Sequence, residues 1–350
     1  MIMQRRFRWT TGLVVASLLG ATILSASSRA ADVAFTKPIT IVIASDTGGG
    51  YDSYGRLVAR HLGDFLPGKP SVTPSNMPGG GGLVATNYLY NSAPKDGTYV
   101  GIPQNNNAFD PLFGNRQARF DPQKFNWIGS LNKVVNIVAF WHAAPVNSVD
   151  DLFQKQTILA GEVGTDGTIT AQLLNRFIGT KFRLVLGYPG SAQILVALRQ
   201  GEAEGTSNIS LDALESSAPD MLRDKQLHLL MQVAPEKAPD LPNVPMATDY
   251  LKNDSDRAVF KLILAKLEFG RPFVAPPGLP PAMLAELRDA FIKMSKDKDF
   301  LADAATLRLP IDATAGDAMQ KFVADTYQAP ADVVKRARDA LIAAGAVGLQ

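Results

Sequence analysis

Gly48-Gly49-Gly50-Tyr51-Asp52-Ser53-Tyr54-Gly55-Arg56 and, further on, Asn76-Met77-Pro78-Gly79-Gly80-Gly81-Gly82 each stand between a β-branched run and an amphipathic run. The first follows Ile39 to Ala44, which reads as a strand. It precedes Tyr54 to Phe65, where Leu57, Val58, Leu62 and Phe65 fall at helical spacing. The second follows a short strand around Ser71 to Pro74 and precedes a helix from Leu83 to Tyr90. Glycine in a strand-to-helix turn permits positive φ and leaves main-chain N–H groups open to a ligand. The helix N-terminus behind the turn adds unpaired donors and a partial positive charge, which favour an anionic group. A tight turn of this kind often needs glycine for its conformation alone. One such turn is weak evidence for a binding site; two in succession, facing a third at Gly164-Thr165-Asp166-Gly167-Thr168, make it stronger. Asp52 either caps the first helix through its side-chain oxygen or meets the ligand.

Outward from these turns the chain keeps alternating strand and helix, the rhythm of βαβ units with a mainly parallel sheet. Strand Tyr99 to Ile102 follows the turn Pro94-Lys95-Asp96-Gly97, and a polar stretch, Gln104 to Asn107, comes next. Trp127 to Trp141 reads as one long extended segment able to cross between domains. The pattern then restarts with strand Thr157 to Gly161, helix Thr168 to Ile178, strand Arg183 to Leu186 and helix Ala192 to Gln200. Strands near Ala203 to Ser207 and Leu227 to Val233 complete that unit, and Pro235 to Pro245 reads as a return connection. Phe273 to Pro277 is one more strand, with helical patterns at Pro280 to Met294 and Asp317 to Ala343. If this last part packs on the first unit, two crossings join two domains, and a cleft between them is a hinge-closing ligand site. The expected division is lobe 1 over 32–131 and 241–350, and lobe 2 over 132–240.

The N-terminus reads as an export signal of residues 1–30. Arg5, Arg6 and Arg8 precede an apolar stretch, Gly12 to Leu24, and the small residues Ser28 and Ala30 mark cleavage near Ala30 or Ala31. The apolar run, interrupted by Ser17, Gly20 and Thr22, falls short of the roughly 20 residues that span a bilayer. The full chain has 35 basic and 33 acidic residues; loss of the four arginines up to Ala30 leaves 31 against 33, a net charge of −2. Such a surface, without a basic run, gives no footing for nucleic acid. There is no cysteine, which excludes disulfides, thiolate catalysis and thiolate metal sites. Export with a soluble mature chain places the protein in the periplasm.

The two glycine turns resemble those of the Bug-type substrate-binding proteins of tripartite tricarboxylate transporters. Gly48 to Asp52 fits the G-G-G-T-D form of that family's first turn, and Asn76 to Gly82 fits its N-x-P-G-x-G-G. The likeness continues through Ala93-Pro94-Lys95-Asp96-Gly97-Thr98, Gly187-Tyr188-Pro189-Gly190-Ser191-Ala192, Gly201-Glu202-Ala203-Glu204 and Ala275-Pro276-Pro277-Gly278-Leu279-Pro280. Each landmark alone is unspecific; their order covers nearly the whole mature chain.

The resemblance implies an α/β, two-lobed type II periplasmic-binding-protein fold, each lobe a mixed, mostly parallel sheet flanked by helices, the lobes joined by two crossings. It implies a solute-binding protein, not an enzyme, that acts as a monomer, needs no cofactor or metal, and delivers a small carboxylate to integral-membrane permease subunits. The carboxylate is expected at Gly48, Gly49, Gly50, Gly79, Gly80 and Gly81, with its other polar end at Thr165, Gly167 and Thr168. Tyr51, Asp52, Asn105 and Tyr188 join them as candidate ligand-binding residues. Phe109, like Tyr51 and Tyr188, either lines an aromatic pocket or packs in the core. The family's apolar lead-in to the first turn is replaced by Ser45-Asp46-Thr47, so Asp46 is either a solvated turn residue or a partner for a ligand amine; Asp166 admits both readings too. Dicarboxylates, tricarboxylates, amino acids and aromatic acids all remain open as ligands.

Other classes find less support. His61, His142 and His228 are far apart and show no metal-ligand spacing. There is no G-x-S-x-G elbow, no Gly-Lys-Ser/Thr phosphate loop, and no third glycine at dinucleotide-binding spacing after Gly48-Gly49-Gly50. A binding protein read by a membrane receptor, serving sensing instead of transport, fits the sequence equally well.

Overall fold

The computed structural model describes residues 34–350 apart from 164, 189, 347 and 350, so the expected export signal lies outside the described residues. The chain begins with β1 (Ile39–Ile43), α1 (Gly50–Phe65), β2 (Val72–Asn76), α2 (Leu83–Asn91), β3 (Tyr99–Ile102) and β4 (Asn126–Ser130). It continues through β5 (Asn136–Trp141), α3 (Val149–Gln154), β6 (Thr157–Gly161), α4 (Asp166–Phe177), β7 (Phe182–Leu186), α5 (Ser191–Gln200), β8 (Gly205–Ser210), α6 (Leu211–Ser217), α7 (Pro219–Arg223) and β9 (Leu227–Val233). It then returns by α8 (Asp254–Leu264) to β10 (Pro272–Ala275), α9 (Pro281–Ser295), α10 (Lys298–Thr306), β11 (Thr314–Ala315), α11 (Gly316–Thr326) and α12 (Ala331–Ala343).

Two sheets form. One has the order β11-β4-β10-β3-β1-β2, the other β7-β6-β8-β5-β9. In the first, β1 is parallel to β2 and β3, as βαβ connections dictate. The returning β10 runs antiparallel to β3 and β4, and β11 antiparallel to β4. In the second, β6 is parallel to β7 and β8 while β5 runs antiparallel to β8 and β9. Both sheets are therefore mixed, as expected, but parallel ladders do not predominate. The strands that enter each sheet from a crossing, β5 and β10, come in against the direction of the local βαβ unit.

The apolar face of α1, with Tyr54, Leu57, Val58 and Leu62 buried, covers β1, whose Ile39, Ile41 and Ile43 have no exposure. Burying each such side chain contributes roughly 1.5–3 kcal/mol. A second group of rings centres on Phe269 from the return segment, whose ring lies 5.7 Å from Trp127, 6.3 Å from Phe109 and 5.2 Å from Phe322. This packing fixes the return segment against the six-stranded half.

The extended segment expected from Trp127 to Trp141 is two strands in different sheets, broken over 131–135. The break is held by the return segment running beside it. Leu131 N–H donates to the Arg271 carbonyl, Val134 N–H to Leu267, and Gly270 N–H to Asn132. Only glycine fits at 270, where a Cβ would sit 2.2 Å from Asn132 Oδ1. The two crossings are thus hydrogen-bonded to each other. The helical pattern from Asp317 to Ala343 is likewise two helices, α11 and α12, separated before Ala331 by Pro330, which cannot continue α11.

Candidate functional site

The turns leave the carboxyl ends of their strands, which is where ligands meet open α/β sheets. Gly79, Gly80, Gly81 and Gly82 have φ of 123°, 60°, 62° and 87°, a run of backbone only glycine adopts without strain. Gly80 to Gly82 form a 3-10 turn leading into α2. On the second sheet, Thr165 precedes α4, and Ser207 Oγ of β8 donates to the Gly167 carbonyl at 2.9 Å, bracing that turn from behind.

These turns face one cleft of about 790 Å³. Of the expected ligand-binding residues, Tyr51, Gly80, Gly81, Asn105, Thr165 and Gly167 line it, as does Phe109. The cleft also takes in Asp110, Glu162, Asp166, Lys266 and Arg271. Tyr51 is oriented by its hydroxyl, which accepts the Asn105 N–H at 2.9 Å. Burial raises the Tyr51 pKa, partly opposed by the charge of Arg271.

The remaining expected residues do not line the cleft, and each has a physical reason. Gly48, with φ of 86°, gives its N–H to Asp52, and Gly49 is the N-cap of α1. Gly50 lies against Arg271, whose Nη2 would be 2.8 Å from an added Cβ. Gly79 starts the second turn and abuts Val84. Thr168 is buried, its hydroxyl donating to the Glu162 carbonyl. Tyr188 donates to Glu202 Oε2 at 3.1 Å and packs on the cluster around Ala160 and Ile194.

Asp52 caps no N–H within its helix. It sits in the first turn of α1, 5% exposed, and accepts from Gly48 N–H at 2.9 Å, Arg56 Nε at 2.9 Å and Asn76 Nδ2 at 2.8 Å. Burial pushes its pKa up, but Arg56, the Gly48 N–H and Asn76 together outweigh burial and hold it below the usual carboxylate range. Asn76 also donates to the Ser45 carbonyl and accepts from Arg56, so the network fastens the ends of β1 and β2 to α1. Asp46 is exposed and lies away from the cleft lining.

Of the charged residues of the cleft, Asp166 belongs to the third glycine turn, whereas Asp110, Lys266 and Arg271 come from segments without that signal. Asp166, the first residue of α4, pairs with Lys266 Nζ at 2.5 Å, joining the return segment to the five-stranded sheet's helix. Asp110 accepts from Asn106 and Asn107, and burial raises its pKa despite the Asn107 and Asn115 hydrogen bonds. Arg271 immediately precedes β10 and lies over the Tyr51 and Tyr54 rings, 4.8 and 5.2 Å from their centroids. A basic residue between Gly270 and Pro272 at the head of an expected strand was the one sequence signal for it; Lys266 had none. Among the described residues no group of three His, Cys, Asp or Glu is placed to hold a metal, and no helix is long and apolar enough to cross a membrane.

Two mixed sheets, two hydrogen-bonded crossings and a polar cleft walled by strand-to-helix turns define a two-lobed solute-binding architecture. The comparisons with known proteins agree. Residues 56–338 match the tripartite tricarboxylate transporter family receptor (TctC), and the chain belongs to that family of solute-binding proteins, which are not enzymes. It is similar to a UPF0065 protein of Bordetella pertussis, 24% identical over 280 residues, covering 77% of this chain and 80% of that protein. A TctC solute-binding protein from Polaromonas shares the fold with a TM-score of 0.65 at 18% identity, over 87% of this chain and 98% of the other. An R. palustris protein solved with adipate gives 0.62 at 20% identity, over 86% and 97%. The periplasmic binding protein BugD gives 0.61 at 17% identity, over 87% and 97%.

Proposed function

We propose that this protein captures a small carboxylate in the periplasm between two lobes, 32–131 with 241–350 and 132–240, and delivers it as a monomer to the permease subunits of a tripartite transporter. One observation carries the reading: the Gly80-Gly81 turn and the Thr165-Gly167 turn, each at the start of a helix, face the same cleft. Backbone N–H groups and the positive ends of α2 and α4 suit an anion. The adipate in the R. palustris structure supports a carboxylate of dicarboxylic size. Export in the cleaved form from near Ala30 or Ala31 rests on the basic, apolar and small-residue segments of the N-terminus.

Closure follows from differential contact. A ligand touching only one turn binds open and closed forms alike; one touching both favours the closed form. A thermal-shift screen of the chain from Asp32 onward, against mono-, di- and tricarboxylates, amino acids and aromatic acids, tests the proposal. At a hundred times its dissociation constant a native-state ligand adds about 2.7 kcal/mol, roughly 5 °C for a chain of this size. A shift confined to a subset of carboxylates is the expected result. No shift with any acid, in protein shown to be ligand-free, rejects it.

A further inference from the structure

Arg271 lines the cleft, and its donors are underused. Its side chain is 13% exposed, yet Nε is fully buried with no hydrogen-bond partner among the described residues. Nη1 donates to the Gly270 carbonyl at 2.7 Å. Among the described residues Nη2 reaches only Asp212 Oδ2, at the long distance of 3.4 Å. A guanidinium carries five donors in a fixed fork, and a largely buried one with so few partners is costly. The group is not loose: the Tyr51 and Tyr54 rings hold it on their faces, Tyr54 through a hydroxyl anchored on the Pro310 carbonyl at 2.8 Å. It lines the cleft beside Gly50, at the N-terminus of α1. Fork, helix end and ring cage are therefore set before any ligand arrives.

We propose that Arg271 is the residue that grips the ligand's carboxylate, and that Asp212, across the guanidinium on α6, sets how tightly it does so. The proposal rests on the carboxylate-binding reading above and adds a side-chain ion pair to a site otherwise built from backbone donors. A ligand carboxylate meeting Arg271 gains charge-assisted, fork-shaped hydrogen bonds that its amide or ester analogue lacks. Asp212 is a fixed negative charge on the same guanidinium and repels a second carboxylate brought beside it. Its own carboxylate is only loosely held, by Arg271 and by Asn132 Nδ2, both at 3.4 Å. Arg271 heads β10 of the six-stranded sheet, whereas Asp212 follows β8 of the five-stranded one, so their contact also spans the two sheets behind the cleft.

The test is calorimetric titration of the chain from Asp32 onward, as wild type, Arg271→Gln, Arg271→Lys and Asp212→Asn, with succinate, malate, adipate and citrate. The expected result is loss of affinity by about 100-fold or more for Arg271→Gln, a smaller loss for Arg271→Lys, which keeps the charge without the fork, and a gain of roughly 3- to 30-fold for Asp212→Asn. A residue that only braced the fold would weaken binding in none of these ways, and Asp212→Asn would lower Tm without tightening the ligand. Where Arg271→Gln does not fold, the lysine and asparagine variants decide. Unchanged affinity in Arg271→Lys and Asp212→Asn overturns the proposal and leaves the carboxylate reading standing. Failure of the wild type to bind these four and every other acid of the thermal-shift screen overturns both.

Discussion

Replacing Asp52 with alanine removes the fastener of the first glycine turn without touching the cleft. The carboxylate is 5% exposed and accepts the Gly48 N–H and the Asn76 amide at 2.9 and 2.8 Å. Hydrogen bonds to a charged group contribute about 1.5–3 kcal/mol each, so the two together amount to about 3 kcal/mol at the lower end. Arg56 adds no figure of its own, because its side chain is 41% exposed and recovers water when the carboxylate goes. At about 2 °C per kcal/mol for a chain this long, Asp52→Ala should lower Tm by roughly 6 °C. Asp52→Asn, which keeps one acceptor oxygen, should lose about half as much. Differential scanning calorimetry at neutral pH reads the stability, and titration with the best carboxylate reads the site. Ligand affinity should fall only modestly, since Asp52 stands behind the turn. A Tm unchanged within 1 °C, together with collapse of binding, would show that Asp52 touches the ligand, and would refute the reasoning.

The glycines separate by what surrounds them. Gly80→Leu should abolish binding, because its side chain enters the cleft lining, and should also cost about 1–2 kcal/mol of stability through its φ of 60°, although its Cβ meets only ordinary contact at 3.6 Å from Leu83. Gly49→Leu, with φ of −87° and open space around it, should leave both stability and affinity near wild type; matched titrations compare the two. Gly82→Ala should be the more destabilising change, because a Cβ there falls 2.7 Å from Asn107 Oδ1 at φ of 87°, and a fall in Tm without a specific binding defect checks it. Acid should destabilise the fold. Asp52, Asp96 (through Thr98) and Asp303 (through His61) have lowered folded-state pKa values, and Lys155 with the Asn147 N–H pulls Asp151 down to about 2. Their stabilisation is complete above the unfolded carboxylate value of about 4 and is lost as pH falls toward 2. Tm measured from pH 7 to pH 2 should therefore hold level and then fall. Asp110, raised by burial, acts in the opposite sense and blunts the fall.

Much of the architecture was readable because it is local. Strands β1, β3 and β6 follow from β-branched residues between turn residues, β9 from a largely apolar run, and the glycine turns announce themselves by composition. What escaped was non-local. The segment from Trp127 to Trp141 is extended throughout its strands, but which sheet each half joins is decided by Gly270 and Leu267 pairing with Asn132 and Val134 from far along the chain. Helix α8 and the 3-10 turn Ala265–Glu268, whose Lys266 reaches the cleft, lie beyond the Pro-rich return, where no turn signal marks a site. The site was half legible for the same reason. A glycine turn reports itself in sequence, whereas Arg271 becomes part of the cleft only when the return strand brings it against Tyr51 and Tyr54. Asp52 shows the converse: a capping pattern was plain, but the N–H it takes is that of Gly48, outside the helix.

The measurement that bears most directly on the central claim is a crystal structure of the chain from Asp32 onward with the carboxylate that shifts it most. The account predicts ligand density touching the Gly80-Gly81 turn on one side and the Thr165-Gly167 turn on the other. A carboxylate bound outside this cleft, or held by one turn alone with the cleft open, would contradict it.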